Sequence, residues 1–540
     1  MAVFAGFLLL YALLPSHNPN YADDSLDWAE QLTRTKGLIN SHHLALNFWR
    51  VAWHGLHDGL GLTIGPGQLL SLWSAICGAA GLAALWLMLR RTYPPTLALA
   101  GVLTCGFSAG YWCYSIVGDV YVPAIAFLTI GTERFLAALH SPGGARSARA
   151  ALLSGLALYV SVMHHQAHAV YIATLAPASL LLRGIPWNRR LTVACSVPLM
   201  AGLLSLATYL GVYAVRDKPP GESFGGFIAG YAGHFDLRAD QKALSVNALV
   251  NAAAGQARAL VTYNVVFRST RVTSAIQARF PYRNVYSYPY LVRNISVPSA
   301  VAIGLASALA GILILGFVIT GVVVAIRERD SAWLLLLLAL PQAMFFMWWE
   351  GISDEFWLWT IPTLVVVAVT GARVLGRHAA TAMGAIATLL LLSTSLGSVL
   401  LYLDAGNDID SVNDAYMKDL APSDLLISWD GIQSTARAHL LHPSDAFGYF
   451  NIQAHAGHWS SADSLEMEQA ITRTQSQNGR IWLGPYLHDM PASNMYFILA
   501  QNPSFEQTYP ALLARLDRLD SMSVVRCLPV ARVPDLFRRF

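Results

Sequence analysis

About eleven long apolar runs constrain this 540-residue chain more than any other feature. A helix needs about 20 apolar residues to cross the hydrocarbon core of a bilayer, and the period-two alternation of a membrane β-barrel is absent. Charged residues make up only 12% of the chain and the mean hydropathy is +0.45, which is too little charge to cover a soluble protein of this size. The sequence predicts a polytopic α-helical membrane protein with transmembrane helices near residues 2–14, 67–89, 96–115, 120–139, 150–163, 167–183, 191–214, 298–326, 332–349, 357–372 and 380–402.

The first run, AVFAGFLLLYALL, is short for a span and has no basic residues before it. It fits a short span, the core of a signal peptide or the remnant of a longer start. We interpret it as a membrane helix, because no small-residue cleavage site follows it.

Charges between the runs predict which side of the membrane each loop occupies. If the first helix runs outward, every inside loop carries basic residues, as the positive-inside rule requires: Arg90 and Arg91, Arg146 and Arg149, Arg183, Arg189 and Arg190, Arg327 and Arg329, Arg373 and Arg377. The opposite ends of the same helices carry acids and histidines, at 22–27, 41–43, 118–121, 163–168 and 350–355. The long hydrophilic stretches 15–66 and 215–297 also fall outside.

Net charge and the distribution of apolar runs indicate which partners and which domains to expect. The net charge is only +3, and the 35 Lys and Arg residues are scattered, so a nucleic-acid partner is not expected. We predict a transmembrane domain over residues 1–403 and a small α/β domain outside the membrane over residues 404–540. Within the latter, SDLLISW and GRIWLGP read as buried strands at 423–429 and 479–485, with helices near 463–476 and 509–518.

Two acids beside the first membrane segment are candidates for catalysis. Asp24 and Asp27 are three residues apart, so on a helical turn they face the same side. A carboxylate there can take a proton from an acceptor hydroxyl while a lipid-linked donor lies in the same leaflet. Crowding of like charges raises the pKa of one carboxyl, which suits a general base near neutral pH.

A family resemblance adds to this chemistry. Asp-Asp-Ser-Leu-Asp-Trp at 23–28 resembles the Gly-Asp-Ser-Gly-Glu-Phe element of the bacterial protein O-mannosyltransferase-like glycosyltransferases, which belong to the GT-C superfamily. Asp24 matches the aspartate of that element, Asp27 stands where glutamate is usual, and Asp23 replaces the glycine. HHLALNF at 42–48, GDVY at 118–121 and MHHQ at 163–166 are similar to later motifs of the family, in the same order.

The resemblance implies an inverting membrane glycosyltransferase with a polyprenyl-phosphate-linked sugar donor, a protein or glycan acceptor and an outward-facing cavity. Asp24 would be the general base, supported by Asp27, and neither a metal ion nor a cofactor is expected. The implied location is the bacterial inner membrane, in contact with its lipids, with the active site and the C-terminal domain on the periplasmic side. Candidate donor-binding residues are His42, His43, Asp119, Tyr121, His164, His165, Arg268, Arg271 and Arg283, with Arg279 and Arg293 as further cations of the second outer loop.

Structural roles compete with each of these functional interpretations. Asp24 and Asp27 also fit a solvated helix cap, the histidines fit polar helix ends at the interface, and the arginines fit binding of lipid headgroups. Asp119 with Tyr121 also fits a simple break between helices. We expect Glu350, Asp354 and Glu355, which lie beside interfacial tryptophans, to form a solvated turn, with divalent-ion binding as the alternative. A multi-span secondary transporter or lipid-linked sugar flippase is the alternative function.

Overall fold

The computed structural model describes most of the chain. The described residues are 1–16, 24–33, 41–141, 143–216, 221–229, 245–279, 287–404, 407, 417–429, 433–441, 447–456, 458–484, 487, 502–519 and 524–526. Short 3₁₀ or π turns lie at Gly55–Gly59, Asn264–Arg268, Asp354–Trp357, Arg373–His378 and Ser395–Val399.

Helices dominate this part of the chain. They are α1 Ala2–Leu13, α2 Asp24–Thr33, α3 Ala45–His54, α4 Pro66–Arg90, α5 Pro95–Gly106, α6 Ala109–Ser115, α7 Tyr121–His140, α8 Gly144–His164, α9 His168–Leu180, α10 Trp187–Val215, α11 Phe224–Ala229, α12 Val246–Leu260, α13 Thr270–Arg279, α14 Ser287–Leu291, α15 Val297–Glu328, α16 Ser331–Glu350, α17 Thr360–Ala372, α18 Ala379–Thr394, α19 Leu400–Leu403, α20 Gln433–Leu441, α21 Ile452–Ala456, α22 Ser461–Ser476 and α23 Phe505–Leu516. The strands are β1 Leu425–Ser428, β2 Gly448–Asn451, β3 Ile481–Leu483 and β4 Val524–Arg526.

The chain divides into two compact units. The first contains Met1–Ser16, Lys36–Tyr263 and Val301–Leu400. The second contains His17–Thr35, Asn264–Ala300 and Leu401–Phe540. The second unit thus holds α2 together with the C-terminal strands. The predicted domain boundary after residue 403 stays a prediction.

The long helices confirm an integral membrane protein. Among the described residues, six helical stretches are long and apolar enough to cross a bilayer, namely α4, α7, α10, α15, α16 and the stretch Thr360–Leu403. A seventh is added if α5 and α6, which bend by 68° at their junction, count as one span. The runs predicted at 2–14 and 167–183 correspond to the shorter apolar helices α1 and α9, and the run at 150–163 lies within α8. The predicted number of eleven spans stays a prediction.

Hydroxyl groups join the antiparallel helices α7 and α8 inside the first unit. Ser154 Oγ donates to Gly131 O at 2.7 Å, and Ser161 Oγ donates to Ala124 O at 2.8 Å. The hydrophobic effect does not hold helices together in lipid. Close packing and interhelical hydrogen bonds of this kind stabilise the helix pair instead.

Several arginines of the predicted inside loops have polar partners within the first unit. Arg91 and Arg134 both pair with the buried carboxylate of Glu133. Arg183 N donates to Arg329 O at 3.4 Å, which joins two of the predicted inside loops. The assignment of these loops to the cytoplasm stays a prediction.

Two glycines allow α15 and α17 to approach closely. A Cβ atom added at Gly321 would overlap the carbonyl oxygen of Val367, and one added at Gly371 would overlap the carbonyl oxygen of Phe317. The two helices therefore cross backbone against backbone, as small residues permit in membrane helix pairs.

The C-terminal strands form the predicted α/β domain of the second unit. All pairings are parallel, in the order β2-β1-β3-β4, with Leu425 opposite both Gly448 and Ile481. Successive side chains of a strand point to opposite faces, and here each face has its own apolar core. Leu425 and Ile427 pack in the core that contains residues of α22 and α23, whereas Leu426 packs in the core that contains Ala438 of α20.

Helix α2 packs on helix α20 within the second unit. Glu30 is buried, and its Oε1 lies 3.3 Å from His439 Nδ1. Trp28, Ala29 and Leu32 are buried on the same helix. The helix that carries the candidate acids is therefore anchored on the C-terminal domain.

We predict that Gly321→Ala destabilises the protein, whereas Gly316→Ala on the same helix does not. The new methyl group at position 321 meets a backbone oxygen, and overpacking of this kind costs about 1–3 kcal/mol. At position 316 a Cβ meets no atom within 4 Å, and alanine has the higher helix propensity. Thermal unfolding of the two purified variants in detergent measures the difference, and equal unfolding temperatures would exclude the close crossing of α15 and α17.

Candidate functional site

Four buried imidazoles cluster in the first unit. The ring centroid of His42 lies 4.6 Å from that of His43 and 4.7 Å from that of His165. The His165 ring lies 5.2 Å from His43 and 5.4 Å from His168. We call His42, His43, His165 and His168 the histidine cluster. Three of these residues were predicted from the sequence, and the structure brings them together.

Irregular backbone at the ends of α3, α8 and α9 holds the cluster. Gln166 N donates to His42 O at 3.1 Å, and His43 Nδ1 donates to His164 O at 2.7 Å. These two bonds tie the segment before α3 to the break between α8 and α9. The MHHQAH motif therefore supplies backbone acceptors and donors as well as rings.

His164 lies beside the cluster, but both of its ring nitrogens are hydrogen-bonded within the protein. Its Nδ1 donates to Val160 O at 2.9 Å, and its Nε2 accepts a hydrogen bond from Trp73 Nε1 at 3.3 Å. Both ring nitrogens thus have protein partners. The structure indicates a packing role for this predicted residue, and a role in donor binding stays a prediction.

His165 has a polar atom without a partner among the described residues. Its Nδ1 accepts a hydrogen bond from Ala167 N at 3.3 Å, so in the neutral ring the proton is on Nε2. That Nε2 is buried and finds no hydrogen-bond acceptor in the described part of the chain. Buried N–H groups are normally bonded, so this donor marks a place where a ligand oxygen would complete the site.

Aromatic side chains enclose the histidine cluster. Trp349 stacks on His42 with centroids 5.7 Å apart and an interplanar angle of 6°. Tyr121, another predicted residue, lies 5.3 Å from His165 and 6.1 Å from His43. Phe346 and Phe356 lie 5.9 Å and 6.1 Å from His165. Sequence analysis did not single out Trp349, His168, Phe346 or Phe356 as site residues. MHHQAH contains His168 and WWEGISDEFWLW contains Trp349 and Phe356, whereas Phe346 lies two positions before the latter motif.

Burial keeps the two loop histidines of the cluster neutral. It lowers the pKa of His42 to about 4, because the charged ring would lose its water. Burial also holds the pKa of His43 well below its usual value, and the neighbouring His42 lowers it further. At neutral pH these rings therefore act as hydrogen-bonding groups without charge.

Asp119 is buried at the start of α7. Its Oδ1 accepts hydrogen bonds from Val120 N at 2.5 Å and Tyr121 N at 3.4 Å, while Ser74 Oγ donates to its backbone oxygen at 3.0 Å. A carboxylate in this position is stabilised by the free N–H groups at the amino end of the helix. These contacts favour a structural role and position Tyr121 against the histidine cluster.

Asp354 corrects the expectation of a solvated turn before α17. The residue is buried, and its Oδ1 lies 2.7 Å from Arg258 NH2. Arg258 also donates to Ile352 O at 2.9 Å and to Tyr263 Oη at 2.9 Å. Its partner Arg258 lies 96 positions earlier in the sequence, on α12, so the local pattern of WWEGISDEFWLW gives no sign of the pair.

The candidate acids belong to the second unit. Asp24 begins α2, and its side chain lies outside the described residues. Asp27 is half-buried and accepts a hydrogen bond from Gln31 Nε2 at 2.6 Å. A shared pocket of these acids with the histidines stays a prediction.

The candidate arginines also belong to the second unit. Arg268 Nε donates to Ile295 O at 2.8 Å, which ties two segments of the second outer loop together. Arg293 lies over the ring of Tyr290 at 3.8 Å. Arg271 and Arg279 are exposed on α13, and Arg283 lies outside the described residues. A role in donor binding stays a prediction for all of them.

Solved structures of an oligosaccharyltransferase from Archaeoglobus fulgidus have a fold similar to that of this chain. The Archaeoglobus fulgidus oligosaccharyltransferase tethered with an acceptor peptide containing the NVT sequon has a TM-score of 0.52 at 12% identity, covering 93% of this chain and 72% of that chain. The oligosaccharyltransferase AglB from Archaeoglobus fulgidus, in complex with an inhibitory peptide and a dolichol-phosphate, has a TM-score of 0.50 at 13% identity with the same coverage. ArnT from Cupriavidus metallidurans bound to undecaprenyl phosphate has a TM-score of 0.49 at 10% identity, covering 83% of this chain and 89% of that chain.

No protein-family model and no curated protein matches the chain. The archaeal structures, which are GT-C superfamily enzymes, confirm the predicted fold class: a multi-span helical membrane protein of the GT-C fold with a C-terminal domain. At identities this low the likeness concerns the fold alone. The narrower O-mannosyltransferase-like family stays a prediction.

We predict that the protein loses stability as the pH falls from 6.5 to 4. In this window the unfolded chain protonates His42, whereas the folded chain does not until its depressed pKa of about 4 is reached. The free energy of unfolding then falls by about 1.4 kcal/mol per pH unit for each such group. Thermal unfolding in detergent across this range measures the slope.

The variant His42→Gln is expected to have a shallower slope, because glutamine does not titrate. The matched control is His57→Gln, at an exposed histidine elsewhere in the first unit, which should keep the wild-type slope. An unfolding temperature that rises towards pH 4, or a His42→Gln slope equal to the wild type, would contradict the buried neutral state of His42.

Proposed function

We propose that the protein is a membrane glycosyltransferase that moves a sugar from a polyprenyl-phosphate-linked donor to an acceptor hydroxyl. The reaction would take place on the extracytoplasmic side of the membrane, with inversion at the anomeric carbon and Asp24 as the general base. The acceptor would be a protein or a glycan.

The observation that carries this proposal is the GT-C fold over 93% of the chain. AglB with this fold has been solved in complex with a dolichol-phosphate, which is a polyprenyl phosphate. A fold hosts many functions, so the fold alone does not assign the chemistry. The arrangement of polar groups in the first unit supplies the second argument.

The histidine cluster offers what a lipid-linked sugar donor needs. His165 Nε2 is a buried donor without a partner in the described residues, in a region enclosed by aromatic rings. A phosphate or sugar oxygen would accept this hydrogen bond, and a bond to a charged acceptor is worth about 1.5–3 kcal/mol. Tyr121 and Trp349 supply flat surfaces of the kind that pack against a sugar ring.

The roles of the acids follow from the proposed reaction. Asp24 would take the proton of the acceptor hydroxyl. Asp27 would support it as a second carboxylate on the same helix turn. Arg271 and Arg283 would neutralise the donor phosphate, because an unpaired buried phosphate charge is costly. Arg268 is already bonded to Ile295 O, so it would act mainly by holding the loop.

We predict that Asp24→Asn lowers kcat of sugar transfer by about 100-fold or more. Asparagine keeps the shape of the side chain but does not accept a proton, and general-base catalysis contributes about 10²–10⁴-fold. The assay uses purified protein in detergent, a panel of polyprenyl-phosphate sugars, hydroxyl-bearing peptide and glycan acceptors, and detection of the glycosylated acceptor and the released polyprenyl phosphate. Asp58→Asn, at an exposed acid of the same outer loop, is the matched control and should keep wild-type activity.

The outcomes of this assay separate the two function classes. Wild-type turnover with an unchanged rate in Asp24→Asn would remove Asp24 from the mechanism and leave glycosyl transfer standing. No turnover with any donor, combined with movement of lipid-linked sugar across vesicle membranes, would favour the flippase or transporter.

We also predict that His165→Phe lowers kcat/KM for the donor by about 10- to 100-fold. Phenylalanine fills the space and keeps the aromatic contacts but removes the Nε2 donor, whose bond to a charged oxygen is worth about 1.5–3 kcal/mol. The control is His140→Gln, at the far end of α7, where Nδ1 only donates to Leu136 O. A His165→Phe variant with wild-type kcat/KM would show that the cluster does not bind the donor.

A further inference from the structure

A second group of imidazoles lies in the C-terminal domain, apart from the histidine cluster. His455, His458 and Asp463 place one potential ligand atom each within 4.8 Å of one another, and among the described residues no other group of three such side chains does so. His455 is on α21, Asp463 is in the first turn of α22, and His458 lies between the two helices. Nothing in the proposed glycosyl transfer uses these residues.

We propose that His455, His458 and Asp463 form a zinc-binding site that fastens α21 to α22. Two imidazoles and one carboxylate are a ligand set typical of Zn²⁺, and they leave a fourth position for water. Mg²⁺ and Ca²⁺ prefer sites made of oxygen atoms alone. The site belongs to the fold of the C-terminal domain and is independent of the proposed reaction.

The distances suit a tetrahedral ion. His455 Nδ1 lies 2.8 Å from Asp463 Oδ1. Two ligands on a zinc ion with bonds of 2.0–2.1 Å are about 3.3 Å apart, so these two atoms need to separate by only about half an ångström. The ion would then replace the hydrogen that His455 Nδ1 now donates to the carboxylate. His458 is exposed, so its ring is able to rotate onto the ion from the solvent side.

The other atoms of the ligands are already held in place. Asp463 Oδ2 accepts hydrogen bonds from Ser460 N at 2.7 Å and Ser460 Oγ at 2.6 Å, which leaves Oδ1 for the ion. The His455 ring stacks on Phe450 with centroids 4.9 Å apart and an interplanar angle of 8°. Metal sites in proteins need this kind of surrounding support, because it fixes the orientation of each ligand.

The position in the fold explains what the ion would do. Phe450 is on β2, which is the edge strand of the parallel sheet, and α21 follows β2 directly. The ion would connect the turn after this edge strand to the amino end of α22. An edge strand is hydrogen-bonded to a neighbour on one side only. A metal-mediated connection at its end would therefore stabilise the least supported strand of the sheet.

The test is metal binding by the full-length protein in detergent after removal of metals with a chelator. Co²⁺ is titrated first, because its visible absorption reports tetrahedral coordination, and Zn²⁺ is then added in competition. We expect one ion per chain and a rise in the unfolding temperature of the C-terminal domain with added Zn²⁺.

The variant His458→Asn is expected to weaken Zn²⁺ binding by at least about 10-fold and to abolish the thermal shift. His458 is exposed, so its replacement leaves the packing of the domain intact. Asp463→Asn, which keeps the cap of α22, is the second variant. The matched control is His57→Asn, at another exposed histidine beside an aspartate, which should bind as the wild type does. Binding below one ion per chain, or equal binding in wild type and His458→Asn, would overturn the proposal.

Discussion

Every backbone polar group at membrane depth needs a partner within the protein, and this requirement shapes the whole first unit. Helices satisfy it along their length, so the irregular segments must satisfy it through one another. His42 O, His164 O and Asp119 O all accept hydrogen bonds from groups on other segments. The breaks in the helices therefore gather at one place, and the polar side chains that they carry gather with them.

The histidine cluster follows from the same requirement. A buried imidazole is most stable when it is neutral and when its N–H has an acceptor. His43 and His168 meet this condition, the former on His164 O and the latter beside Ser161 Oγ at 2.7 Å. His165 does not meet it within the described residues, although it lies among the same rings. Under the proposed function, this unpaired donor is the point in the cluster where a ligand oxygen would bind.

The sequence predicts those features that depend on neighbouring residues. Apolar length predicts the membrane helices, and buried apolar runs predict β1 and β3, the central strands of the sheet. The strands β2 and β4 were missed, because they are short edge strands and GYFN is not a continuous apolar run. The burial of Asp354 was missed because its partner Arg258 is distant in the sequence. Three of the four cluster histidines were identified, since the HHLALNF and MHHQ motifs resemble those of a known family and fall on the same predicted side.

Neutral histidines limit how the site would hold a lipid-linked phosphate. A neutral ring donates a hydrogen bond but does not balance a negative charge, so the cluster suits sugar hydroxyls and one phosphate oxygen rather than the full charge of the phosphate. Arg258 does not supply the missing charge, because Asp354 lies 2.7 Å from its guanidinium. Under the proposed function, the charge of the phosphate therefore has to be balanced by groups other than the histidines, which would orient the donor. Division of these two tasks would let the same cluster serve different sugars on a common lipid phosphate.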